Sequence, residues 1–465
     1  MKNAIRSFAL LALFISLAAA PLLAQKQTPP EGGPAKAFTV PAHETYTLSN
    51  GMKVTLVPYG ILPKVTVDVV IEAGSIDEGS DHAGVSGITA DLLQEGTEKL
   101  SSSELADQAG RMGSTLSVSA NTEQTHAQLD VLSEFGPDAV RLLADVLEHP
   151  RLPESELPRL KNDKLRQIAV AGSRPQTIAQ IHFNKIVFGN HPFSIVLPTE
   201  DQVKKITHDD VKSFYAANFN AQRSHIYVAG RFDSAAVKKA IAEGFSGWAR
   251  GNTKRAPDPP PTAAHRVLDV TDRPGAPQST LFLGLPVIAA NNPDAIRLKV
   301  TNALLGGSFN SRVTANIREQ KGYTYSPFST LSEHYHYANW SQHADVTTQY
   351  TGASIHEILA EIKRLSSVPP SATELKGIQN YLSGVFVIQN SNRGALINQL
   401  AYVDFQGLGE DYLKTYIARV NAVTPEDVEK TAAKYIKPDQ LTIVVVGDKS
   451  KISDQVAPYE AGKPL

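Results

Sequence analysis

Three histidines, His334, His336 and His343, fall within ten residues of one another, and imidazole is the side chain that both binds metals and moves protons near neutral pH. His334 and His336 would share one face of a strand, a geometry that offers two points to a metal ion. Tyr335, Tyr337 and Trp340 interleave with them as in a half-buried sheet, so packing competes with adventitious metal binding as the reason for the cluster. His82 stands alone ahead of an apolar helical pattern, where a solvated imidazole is the ordinary outcome. No His-x-x-Glu-His or His-Glu-x-x-His string occurs, and no Gly-x-Ser-x-Gly turn presents a nucleophilic serine. With no cysteine, disulfides, thiol catalysis and zinc fingers are excluded.

The elements that could position these groups follow from length and patterning. A chain of 465 residues predicts two to four compact units. A formal charge of -2 leaves no global basic field for nucleic acid. Residues 1–24 read as an export signal, with Lys2 and Arg6 before an apolar run from Phe8 to Ala24, or as an anchor if uncut. The mature chain is expected in the periplasm or outside the cell, with no stable membrane span. Residues 25–40 read as a Pro- and Gly-rich tether.

The rest repeats. Ile206-Thr207-His208-Asp209-Asp210-Val211 matches Val423-Thr424-Pro425-Glu426-Asp427-Val428, and the strand ending at Gly230 matches the one ending at Gly447, both pairs set apart by the same interval along the chain. Thr207 and Thr424 carry an acid three residues on, the signature of a capped helix start. Lys64 to Val70 alternates polar and apolar, as in a strand of a sheet covered on one face by helices. The expected architecture is α+β: two homologous domains, each a mainly antiparallel sheet flanked by helices, at 41–250 and 266–450, with a Pro-rich linker at 251–265 and a tail at 451–465.

Four segments together are more specific than any one. They are Ala73-Gly74-Ser75-Ile76-Asp77-Glu78 with Gly84-Val85 and Glu95-Gly96-Thr97, then Leu304-Leu305-Gly306-Gly307 with Ser311-Arg312, then Arg318-Glu319-Gln320-Lys321-Gly322-Tyr323-Thr324-Tyr325-Ser326, and the repeated caps and closing strands. Across nearly the whole mature chain this resembles the insulinase/pitrilysin family of inverted-motif zinc metallopeptidases, in its processing-peptidase-like bacterial branch, whose two domains form half of a clamshell. The family's His-x-x-Glu-His holds zinc with two imidazoles one helical turn apart, while the Glu activates water. On that frame the first His position is Gly87, the Glu position Ala90 and the second His position Asp91, while Gln167 stands nearest the third ligand, an acid in the family. The resemblance therefore implies no metal in this chain and no catalytic residue of its own.

It also implies a role for Arg318 and Tyr325, which in the family project into the chamber and hold the substrate backbone near the scissile carbonyl, with Tyr323 as neighbour. Zinc loss with Arg/Tyr retention is the pattern of a non-catalytic chain paired with a zinc-bearing one. The implied partners are that second chain and extended peptides adding a strand to a sheet edge. A scaffold without turnover and an autonomous peptide binder are the alternatives.

Overall fold

The computed structural model describes residues 39–253, 260, 265–409 and 411–463. The expected signal, the tether up to residue 38, and linker residues 254–259 and 261–264 lie outside them. Two sheets carry the fold. The first runs β1 (Glu44–Thr47), β2 (Lys53–Pro58), β6 (Ser224–Gly230), β3 (Lys64–Ile71), β5 (Thr125–Leu132), β4 (Ser117–Ala120). The second runs β7 (Val267–Asp272), β11 (Thr442–Gly447), β8 (Gln278–Val287), β10 (Tyr337–Thr347), β9 (Phe328–His334). Apart from the extra β1, the two orders are the same. In each, only the closing strand pairs in parallel, β6 with β2 and β11 with β7, and every other ladder is antiparallel. The internal repeat read from a constant displacement in sequence is thus a repeat of topology.

The caps are in place. Thr207 Oγ1 accepts from Asp210 N while the Asp210 carboxylate accepts from Thr207 N, and Thr424 with Asp427 repeats the exchange. Each such box satisfies helix-end donors that would otherwise lack partners. Beyond Gly447 the chain continues as a helix, Lys449–Val456, burying Ile452 and Val456.

One expectation is corrected. The sheets are not covered on one face only: β3 is buried from Val65 to Ile71. Val65, Val67, Val69 and Ile71 enter the core beneath the first half's own helices. The opposite face is covered by a helix from the other half, Arg393–Phe405, whose Leu396, Ile397 and Ala401 sit on Val57, Val70, Tyr227 and Ala229. The helix Pro175–Phe188, its counterpart in the first half, returns the arrangement: Ala179, Phe183, Val187 and Phe188 sit on Phe282, Tyr337, Val444 and Val446 of the second sheet. Phe183 and Phe282 pack with centroids 4.4 Å apart and planes tilted by 33°, and a Cβ at Gly284 would stand 2.8 Å from the Phe183 ring. Only glycine permits that approach.

Candidate functional site

The helix Val85–Leu92 persists where the metal motif would lie, for reasons visible in its ends and its buried side. Gly84 enters it at φ +100°, a conformation glycine adopts without penalty. The helix start has no cap of its own; instead the Glu78 carboxylate accepts from Gly84 N at 2.8 Å, Ser86 N at 2.7 Å and Ser86 Oγ at 2.5 Å. Burial raises the Glu78 pKa, and those donors pull against it. Val85, Ile88, Ala90 and Leu92 pack into the first core, so Ala90 faces apolar neighbours.

Gly87 and Asp91 lie beside the long helix Leu157–Gly172. A Cβ at Gly87 would stand 3.2 Å from Lys164 Nζ, so an ammonium fills the room that the first imidazole would need. Burial raises the Asp91 pKa, opposed first by Lys164 and then by Arg159. Gln167 is exposed on the same helix. One carboxylate, two residues without donors, an outward amide and a resident cation do not fit zinc, which wants three or four N, S or O ligands around it. No step of chemistry is routed through a metal here. His82 is not simply solvated: its Nε2 lies 3.3 Å from Asp210 Oδ1.

The structure brings Arg318 and Tyr325 together in the other half. Arg318 sits on Thr314–Gln320, a turn widened to π geometry, a form that recurs at functional sites. Its guanidinium lies 4.5 Å from the Phe309 ring centre and 4.9 Å from that of Tyr325, with Nε 3.3 Å from Glu319 Oε1. Tyr325 is 79 % exposed and Phe309 65 %, an unusual cost for two large rings unless something covers or uses them. Tyr323, the neighbouring candidate, instead packs against the second core and stacks on Tyr350 at 4.4 Å. Arg312 makes a two-pronged bond to Glu374 at 2.7 and 2.9 Å, and this pins the segment before Arg318 to the helix Ala372–Gln389.

The three histidines do not converge. β9 ends at His334, and Tyr335-His336 form the two-residue turn to β10, with His336 at φ +58°. The expectation that His334 and His336 share a strand face fails because the chain reverses between them. His334 Nδ1 lies 3.1 Å from Glu123 Oε2, and His336 faces Asn291 at 3.1 Å. His343 stacks on Phe328 and meets Phe282 edge-on, with Nε2 2.8 Å from Ser341 Oγ, and burial lowers its pKa to about 4. Among the described residues no group of three or more His, Cys, Asp or Glu could hold a metal ion, and no helix is long and apolar enough to cross a membrane.

Comparison with known proteins matches residues 61–199 to the insulinase family (peptidase family M16) and 205–382 to the peptidase M16 inactive domain, together more than half of the chain. The chain belongs to the M16 family. The inactive-domain match spans Arg318 and Tyr325. A Bacillus subtilis relative, "Uncharacterized zinc protease YmxG", is 25 % identical over 406 residues, covering 85 % of this chain and 96 % of its own. "Non-peptidase homolog YmxG" of Helicobacter pylori is 21 % identical over 397 residues, covering 84 % of this chain and 90 % of its own. The solved structure of a peptidase M16 inactive domain from Pseudomonas fluorescens superposes with a TM-score of 0.79 at 22 % identity, covering 87 % of this chain and 98 % of that one. At the positions of this family's metal motif the M16 chain carries Gly87, Ala90, Asp91 and Gln167.

Sequence reasoning passes over three groups at these sites. Lys164 stands three residues before Gln167, hence on the same side of its helix, and that spacing is the available signal. Glu78 reads as part of the frame, and only the fold shows it as a cap. Phe309 lies just beyond Gly307-Ser308, and nothing local marks it as the second ring beside Arg318.

Proposed function

We propose that this M16 chain is the zinc-less member of an exported two-chain peptidase, holding extended peptide segments while a zinc-bearing partner cleaves them. The observation that carries the reading is the half-buried Arg318 set against the exposed Tyr325, on a fold whose metal helix is kept and whose ligands are gone. A guanidinium and a phenol are donors suited to a carbonyl that gains negative charge, once a partner's surface excludes water from them. β9 begins three residues after Tyr325 and ends its sheet, so a peptide added as a strand there would pass near both groups. Export rests on the leader-like residues 1–24, and N-terminal sequencing of the mature protein tests it.

The decisive experiment is tagged purification from the native host with peptide hydrolysis and zinc content measured on what co-elutes. Tyr325→Phe and Arg318→Ala should each lower turnover by the complex on the order of 10- to 1000-fold without loss of assembly. Unchanged turnover would favour the scaffold reading, to which one observation already lends weight: Arg318 is engaged by Phe309, Tyr325 and Glu319 within its own chain.

A further inference from the structure

We propose that Lys164 is the built-in cation of the degenerate motif, occupying the room of the first ligand and supplying a positive charge where a metal's would be, so that the site excludes metal actively. The geometry comes first. Lys164 Nζ is 3.2 Å from where a Gly87 Cβ would be, and its Cε is 3.8 Å from the same point. A Cβ at position 87 would require the ammonium to give by a few tenths of an ångström, and a longer side chain by more. The field around that ammonium is negative. Asp91 on the motif helix and Glu78 at its start both feel Lys164 as an attractive charge. The other charged groups around Asp91 are Arg159, Asp163 and Glu95, and these bond among themselves: the Arg159 guanidinium takes Glu95, Glu156 and Asp163. Arg159 is shared among three carboxylates, and Lys164 is the foremost cation acting on Asp91.

Two half-buried carboxylates beside one helix need a countercharge. A flexible four-carbon stem can swing aside, so crowding alone would be a weak bar to an imidazole at position 87. Charge is the stronger bar, because a divalent ion and an ammonium cannot share a partly desolvated cleft without strong repulsion.

The test rebuilds the site in the full-length chain in two forms. Gly87→His, Ala90→Glu, Asp91→His and Gln167→Glu are made together, with Lys164 kept or with Lys164→Met added, and zinc affinity is titrated after dialysis against chelator. We expect the form lacking Lys164 to bind zinc tighter by on the order of 100-fold, the scale on which residues around a ligand shell tune metal affinity. Equal affinities in the two forms would overturn the proposal. If neither rebuilt form holds zinc, the native background decides through a thermal-stability cycle of Lys164→Met, Asp91→Asn and the pair. A countercharge predicts that Asp91→Asn rescues most of the Lys164→Met loss, and that Lys164→Arg loses little. Additive losses would refute it. None of these readouts depends on a partner chain, so the inference stands or falls apart from the proposed function.

Discussion

The two faces where each half is capped by the other's helix have the same topology and a different balance of apolar and charged contacts. Where Pro175–Phe188 crosses the second sheet, the contact is mainly apolar and aromatic, with Phe183, Phe188, Phe193, Phe282 and Tyr337 in one cluster. Where Arg393–Phe405 crosses the first sheet, charged contacts flank the apolar one: Asp404 holds His225 at 3.2 Å and Lys53 at 2.9 Å, and Arg393 reaches Asp130 at 3.0 Å. Cavities of about 290 and 390 Å³ flank this second crossing. Equivalent positions make the divergence plain. Asp68 on β3 bonds His126 on β5 at 3.0 Å, while Phe282, the counterpart of Asp68 on β8, meets His343 on β10 edge-on. One feature was kept in both faces, an Asp bonded to a Thr: Asp130 with Thr66 and Asp345 with Thr280. On a shared backbone the seam is more aromatic on one side, where His182 with Asp269 and Gln176 with Asp345 are the polar contacts, and more charged and cavity-lined on the other.

That contrast can be broken most sharply at Phe183. Phe183→Ala should cost about 3–5 kcal/mol of stability, since a fully buried ring leaves a hole that Gly284 cannot fill. Leu400→Ala, on the equivalent helix, should lie at the low end of the roughly 2–5 kcal/mol range, because Leu400 is only partly buried and lines a cavity. Equal losses in denaturant unfolding would erase the asymmetry.

Acid should sharpen the contrast. The His343 pKa, lowered to about 4, means the folded state favours neutral imidazole, so its contribution is complete above about pH 6.5 and is lost as pH falls from there toward 4. A loss of about 2–3 kcal/mol is expected across that window, and His343→Phe should flatten it. His225 on the cavity-lined face is also held down by burial, yet Asp404 beside it pulls the other way, so its share is smaller. Asp404, lowered to about 2, contributes stability above about pH 3.8 that disappears only below that point. Melting curves of the wild type and His343→Phe between pH 7 and 3 separate the two windows.

Smaller effects belong to the polar crossing. Arg393→Met removes one guanidinium nitrogen shared between both Asp130 oxygens and a bond to Thr66, and should cost about 1–2 kcal/mol, more at low than at high salt. Lys53→Met should cost less than about 1 kcal/mol, because the lysine side chain is half exposed and Asp404 keeps His225. A Lys53 effect larger than that of Arg393 would mean that this face is organised around Asp404.

Local signals carried much of this fold into the sequence. The caps at Thr207 and Thr424, the closing strands and the helix from Val85 are all set by neighbours within a few residues, and all appear where expected. The crossing helices were invisible as such, because their burial against a partner sheet depends on contacts with the opposite half of the chain that no local window contains. The site divides in the same way. The absence of donors at Gly87 and Ala90 is written in the residue types, whereas Lys164 above Gly87 and Phe309 beside Arg318 depend on how one helix or turn lies against another. His336 misleads because the alternation runs on through a turn with no glycine or proline to mark it.

The exchange of helices also sets a clock on folding. The first sheet is fully encoded by Gly230, yet the helix that closes its open face begins only at Arg393. At about 5–20 residues per second of synthesis, Val57, Val70 and Tyr227 would wait about 10–30 s for cover. During that interval the nascent first half presents a sticky sheet surface to anything nearby, which makes it a natural client for a holding chaperone. Refolding from denaturant meets the same delay in another form, since the two crossings are contacts of very long sequence separation and should form late.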